Sequence, residues 1–98
     1  MEIERIGRGE ELGEGQACLC MVIEILGDNA RANTILEELE RTLNKERAII
    51  AYQSFSGLLA GGFVEGHMTP PYDRRFIMRY FLTEKGKKSL EQWRRKRH

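Results

Sequence analysis

Ninety-eight residues, 41% hydrophobic and 32% charged, with 16 Lys and Arg against 15 Asp and Glu, describe one small globular domain of near-neutral charge. No apolar run approaches the ~20 residues that a membrane-spanning helix needs. Met1-Glu2-Ile3-Glu4 has neither the cationic start nor the apolar core of a secretory signal, so the expected address is the cytoplasm, with no membrane partner.

The charge is uneven along the chain. Residues 1–46 carry five Lys and Arg against eleven Asp and Glu, whereas residues 47–98 carry eleven against four. A basic half on a neutral chain is the electrostatic footprint of a nucleic-acid binder with one working face.

In chain order, residues 1–15 hold four Gly and five Glu and read as a flexible arm, with a short strand at Ile3 to Ile6; residues 16–98 form the domain. Ala17 to Leu26 is apolar almost all round and predicts a buried first helix, ended by Gly27-Asp28-Asn29. Thr34 and Glu37 match a capping box, and Ile35, Leu36, Leu39 and Leu43 recur at the spacing of an amphipathic second helix. Lys45 to Ala60 predicts a third helix. Its buried stripe is Ala48, Ala51, Tyr52, Phe55, Leu58 and Leu59, and Arg47, Ile50, Gln53, Ser54 and Gly57 face outward.

The 29 residues from Leu58 to Gly86 change character. Gly61-Gly62 stops the helix, because Gly takes a left-handed C-cap at little cost. Phe63 and Val64 open a strand, Pro70 and Pro71 mark a loop, and Asp73-Arg74-Arg75 sit near its tip. Phe76 to Leu82 is a β-rich return strand in which Met78, Tyr80 and Leu82 alternate with Arg79 and Phe81. Thr83 can cap a last helix from Glu84 to about Arg97. The class is α+β: a three-helix core, a two-stranded β-hairpin and a C-terminal helix.

Those elements and motifs resemble the winged helix-turn-helix regulators, in particular the PadR-like and MarR-like families. The resemblance rests on Leu58…Gly62-Phe63-Val64-Glu65, on Asp73-Arg74-Arg75, and on the wing terminus Tyr80-Phe81-Leu82-Thr83-Glu84-Lys85-Gly86, and covers about residues 17–93. It implies a recognition helix followed by a wing, with an arginine entering the minor groove braced by an aspartate. The long terminal dimerisation helices of MarR-like proteins do not fit in 98 residues, so this is a minimal version.

The residues give the same expectation its chemistry: sequence-specific binding of double-stranded DNA by a transcriptional regulator. In the major groove Gln53 can pair with adenine, Arg47 with guanine or phosphate, Ser54 with either, and Ile50 can pack on a thymine methyl, with Lys45 at the helix start. Tyr72, Arg74, Arg75 and Arg79 of the wing, with Lys85 and Lys88 of the last helix, are expected at phosphates or in the minor groove. Leu90 and Trp93 form an apolar stripe that either packs back on the first helix or, as favoured here, pairs across a two-fold axis in a homodimer, a natural source of buried area for so small a domain.

Two other functions remain open on the sequence. The third helix is thin in charge, which suits a protein-interaction module. Cys18 and Cys20 suit a redox-responsive regulator, although residues two apart point ~200° apart on a helix and cannot easily pair. His67 and His98 have no ligand-spaced partners, so no metal or cofactor is expected, and no catalytic motif marks an enzyme.

Overall fold

The computed structural model of the protein describes residues 12–69 and 77–96. The elements run α1 (Glu14–Leu26), a 3₁₀ turn (Gly27–Asn29), α2 (Ala32–Thr42), α3 (Lys45–Tyr52), α4 (Phe55–Ala60), β1 (Val64–Thr69), β2 (Ile77–Leu82) and α5 (Glu84–Lys96). The expected strand at Ile3 to Ile6, most of the arm and the hairpin tip lie outside the described residues.

Helix α1 is the spine of the core. Leu19, Cys20, Val22 and Ile23 are buried against Ile35 and Leu39 of α2, Ala48 and Ala51 of α3, Phe55 and Leu58 of α4, and Leu90 of α5. Each fully buried Leu or Ile stabilises the fold by about 1.5–3 kcal/mol over its exposed state. α1 starts at Glu14 rather than at Ala17, because Gly13 serves as N-cap and Gln16 reaches back, its Oε1 accepting from the Gly13 N–H at 2.9 Å. Leu12, placed in the arm by the sequence reading, is buried. The helix is also less enclosed than its composition suggests: Ile25 is 71% exposed. Gly27 ends it with φ +56, a conformation that favours glycine.

The capping of α2 differs from expectation. The helix begins at Ala32, so Thr34 is its third residue and not its cap. The Thr34 hydroxyl accepts from the Arg31 N–H at 2.9 Å and donates to the Asn29 carbonyl, tying the new helix to the turn before it.

The expected third helix is two helices. After Tyr52 the Ser54 N–H bonds to the Ala51 carbonyl three residues back, at 3.0 Å, which tightens the chain at Gln53-Ser54 before α4 resumes. A side chain that hydrogen-bonds locally, such as Ser, is a weak helix former in mid-helix, and propensity alone could not place the break. Gly62 has φ +81 and turns the chain out of α4 into β1, as the Gly pair predicts. Leu59, assigned to the buried stripe, is 39% exposed because the break rotates it away from α1.

β1 and β2 pair antiparallel, with Val64 opposite Leu82, Gly66 opposite Tyr80 and Thr69 opposite Ile77. Val64, Tyr80 and Leu82 face the helices, and Glu65, His67, Arg79 and Phe81 form the outer face. The hairpin is fixed to the body at two places. The Tyr80 N–H donates to the Ala30 carbonyl at 2.9 Å, so the α1–α2 connection adds a one-residue rung to β2. Edge-on ring contacts then run from Tyr52 to Phe55 (5.5 Å) and from Phe55 to Tyr80 (4.6 Å), linking α3, α4 and β2. Among the described residues no helix is long and apolar enough to cross a membrane.

The Leu82-Thr83-Glu84-Lys85-Gly86 stretch joins hairpin to helix; Glu84 pairs with Lys87 on the surface of α5, and the other four residues hold partners outside that turn or cap it. Leu82 packs on the core. Thr83 accepts from the Gly86 N–H at 3.1 Å, capping α5 as expected, and donates to the Gly62 carbonyl. Lys85 Nζ donates to the Gly61 carbonyl at 2.9 Å and lies 4.6 Å above the centre of the Phe63 ring. Gly86 lets α5 touch the backbone of Phe63: a Cβ there would stand 2.1 Å from the Phe63 oxygen.

Candidate functional site

Helix α3 is built to show most of itself to solvent. Asn44 caps it, accepting from the Arg47 N–H at 2.8 Å. Only Ala48 and Ala51 are buried, and both are small, so the helix lies close on the core with little side chain beneath it. Lys45, Glu46, Arg47, Ile49, Ile50 and Gln53 are exposed.

At about 100° per residue, Ala48, Ala51 and Phe55 set the buried direction, and the diametrically opposite edge carries Glu46, Ile49, Ile50 and Gln53. Gln53 has αR dihedrals (φ −65, ψ −17), so the break after α3 leaves it on that edge. Arg47 flanks the α1 side, where it shares a shallow cleft of about 170 Å³ with Glu14, Cys18, Leu43, Ile50 and Ala51. Lys45 flanks the other side, which carries Tyr52 and therefore the hairpin.

The sequence reading of this face needs three changes. Ile50 and Gln53 stand outward as expected. Ser54 is half-buried, its hydroxyl beside Gly15 of α1, and is poorly placed to reach a base. Glu46 and Ile49 were missed. The signal was present, since taking the two alanines as the centre of the buried stripe puts both opposite it.

On the hairpin, Tyr72, Arg74 and Arg75 lie outside the described residues. Arg79 sits on the outer face and is half-buried, and its Nε is enclosed without a hydrogen-bond partner among the described residues. Beside it His67 and Glu65 are paired at 2.6 Å, and the His67 ring meets Phe81 edge-on at 5.6 Å. On α5, Lys88 is exposed, whereas Lys85 holds Gly61 and Phe63 and serves the fold. Lys85 was expected at a phosphate; the close approach of α5 to Phe63 explains why its ammonium folds inward instead.

Leu90 is 1% exposed and lies in the core of its own chain, so it is not available to a second copy. Of the two expected packings of this stripe, against the first helix or across a two-fold axis, Leu90 takes the first: it lies in the core with the residues of α1. Trp93 is half-buried and packs against the same core, lining a small cleft with Leu12, Ser89, Gln92 and Lys96. Further along α5, Arg94 pairs with Glu24 of α1 at 2.8 Å.

The two cysteines are unequal. Burial pushes the Cys20 thiol up to about 12, and Glu24 adds to the rise. Cys18 is half-exposed in the cleft, and its thiol too is raised, first by burial and then by Glu14, against the opposing pull of Arg47. The thiolate is the reactive form, and burial disfavours it at both positions, more so at Cys20.

Comparison with family models, with curated proteins and with solved structures gives no match to this chain. The functional argument therefore rests on the geometry of α3, the hairpin and α5.

Proposed function

We propose that the chain is a winged-helix protein that binds double-stranded DNA and regulates transcription. In this reading α3 enters the major groove as the recognition helix, and the β1–β2 hairpin is the wing. The observation that carries it is the face of α3. A helix that buries two alanines and exposes two isoleucines, a glutamine and flanking cations is shaped to be covered, and a major groove about 12 Å wide admits one helix.

Two features support the reading. The Ala30–Tyr80 rung and the Tyr52–Phe55–Tyr80 contacts hold the hairpin at a fixed offset from α3, which simultaneous engagement of groove and adjacent backbone requires. Lys45, Arg47 and Lys88 are exposed and free to meet phosphates, which position a protein on the duplex without reading its sequence.

The test is a fluorescence-anisotropy titration of labelled random duplex between about 50 and 200 mM salt. Wild type is compared with Lys45→Ala/Arg47→Ala and with Arg74→Ala/Arg75→Ala. Phosphate contacts predict a log K against log salt slope near −0.9 per neutralised phosphate, shallower by about two contacts in each double variant. Absence of binding at low salt refutes the proposal and turns the exposed α3 face toward a protein partner.

A further inference from the structure

From the outward quartet of α3 we infer the base sequence that this helix reads; the inference rests on the DNA-binding proposal. Glu46, Ile49, Ile50 and Gln53 occupy the edge opposite the buried alanines. From Glu46 to Gln53 there are seven residue steps, or about 10.5 Å of helix at 1.5 Å per step, the length of about three base-pair steps at 3.4 Å.

Each side chain has a complementary group in the major groove. A carboxylate accepts from the cytosine N4 amine and finds no donor on guanine or thymine; adenine also offers an N6 amine, but beside the N7 acceptor, which repels the carboxylate, so cytosine is favoured. Gln forms a bidentate pair with adenine N6 and N7, and an apolar side chain packs on the thymine C5 methyl. Ile49 and Ile50 are 45% and 61% exposed, more than a core helix leaves bare, and they sit between the two polar ends. The target core thus has cytosine at the Glu46 end, one or two thymine methyls in the middle and adenine at the Gln53 end, within about four base pairs. Arg47 and Lys45 lie on the flanks of this edge and are assigned to phosphates.

The acidic residue has a second consequence. A carboxylate on a DNA-facing edge repels every phosphate near it, and a base amine at the right step, cytosine N4 best, offsets that repulsion. Glu46 therefore lowers affinity for random duplex and raises discrimination, the device by which specificity is obtained through an unfavourable contact with wrong partners.

The experiment is selection of bound duplexes from a randomised library by wild type, Glu46→Gln and Gln53→Ala, with circular dichroism confirming that the exposed substitutions leave the fold intact. Wild type should enrich cytosine and adenine about three steps apart across a thymine-containing core. Gln53→Ala should lose the adenine preference, and affinity for the enriched site should fall on the order of tenfold. Glu46→Gln should lose the cytosine preference while binding random duplex more tightly, by roughly twofold to fivefold, the range of one solvent-exposed charge interaction. Replacing the core thymines by uracil, which removes only the methyl, should weaken wild type and leave Ile49→Ala/Ile50→Ala unchanged.

Wild-type binding with an enriched motif that none of these variants alters overturns the base assignment and leaves the DNA-binding proposal standing. Failure of wild type to bind any duplex overturns both.

Discussion

Gly86→Ala isolates the joint between hairpin and last helix. The added Cβ would stand 2.1 Å from the Phe63 carbonyl oxygen and 3.0 Å from its carbon. A comfortable C···O approach is about 3.3 Å or more, so α5 or β1 has to retreat by about 1 Å. Phe63 is poorly placed to yield: its N–H donates to Leu58, its carbonyl accepts from Thr83, and its side chain is buried. Overpacking of this kind costs roughly 1–3 kcal/mol, and contact with backbone rather than a flexible side chain puts it at the upper end. Helix propensity returns about 1 kcal/mol for replacing Gly by Ala. The net is a loss of about 2 kcal/mol, or roughly 8–16 °C in Tm for a domain of this size. Thermal unfolding followed by circular dichroism measures it. Gly57→Ala is the matched control, since its Cβ meets only Gln16 Nε2 at 3.8 Å and it should gain up to about 1 kcal/mol. If Gly86→Ala is as stable as wild type while Gly57→Ala behaves as stated, the close approach of α5 to Phe63 is wrong.

Other expectations follow from the same packing. Lys85→Ala should cost about 1 kcal/mol in urea unfolding, through the lost Gly61 bond and Phe63 contact, and leave the salt slope of DNA binding almost unchanged. Lys88→Ala should do the reverse, lowering the slope by about one phosphate with little effect on stability. Leu90→Ala should destabilise by about 2–5 kcal/mol at every protein concentration, as a core cavity does; a loss that vanishes on dilution would return Leu90 to an interface. Cys20 titrates near 12 when folded against an ordinary 9.0, so the unfolded chain gives up its proton first. Stability should be level below pH 9 on this account and fall between pH 9 and 12, with Cys18 and the raised Tyr52 hydroxyl contributing in the same sense. Cys20→Ala should flatten that alkaline decline in urea titrations, and an unchanged profile would remove Cys20 as its source.

The elements were legible in the sequence where local chemistry decides them. Gly27 and Gly62 do take positive φ, Thr83 does cap α5, and the alternation of β2 does turn Tyr80 and Leu82 inward. What escaped depends on neighbours distant in sequence. Lys85 looks like any surface cation until Gly61 and Phe63 arrive beside it, and the apolar stripe of Leu90 suits a dimer partner as well as α1 until α1 covers it. The break at Gln53-Ser54 is one shifted hydrogen bond in a stretch whose composition suits a continuous helix. On the candidate site, Ile50 and Gln53 were found by periodicity. Glu46 and Ile49 lie outside the outward set Arg47, Ile50, Gln53, Ser54 and Gly57 because the expected buried stripe counts Tyr52 and Leu59, of which the first is half-buried and the second exposed.

The two alanines under α3 have a consequence for how such a protein diversifies. Five of the eight positions of that helix are exposed, Tyr52 packs at its end on Phe55, and the two fully buried residues bring only methyl groups. Substitutions on the outer edge therefore fall in the class that shifts stability by no more than about 0.5 kcal/mol. A lineage carrying this domain can rewrite what the helix recognises, one residue at a time, without first evolving a more stable scaffold to tolerate the change.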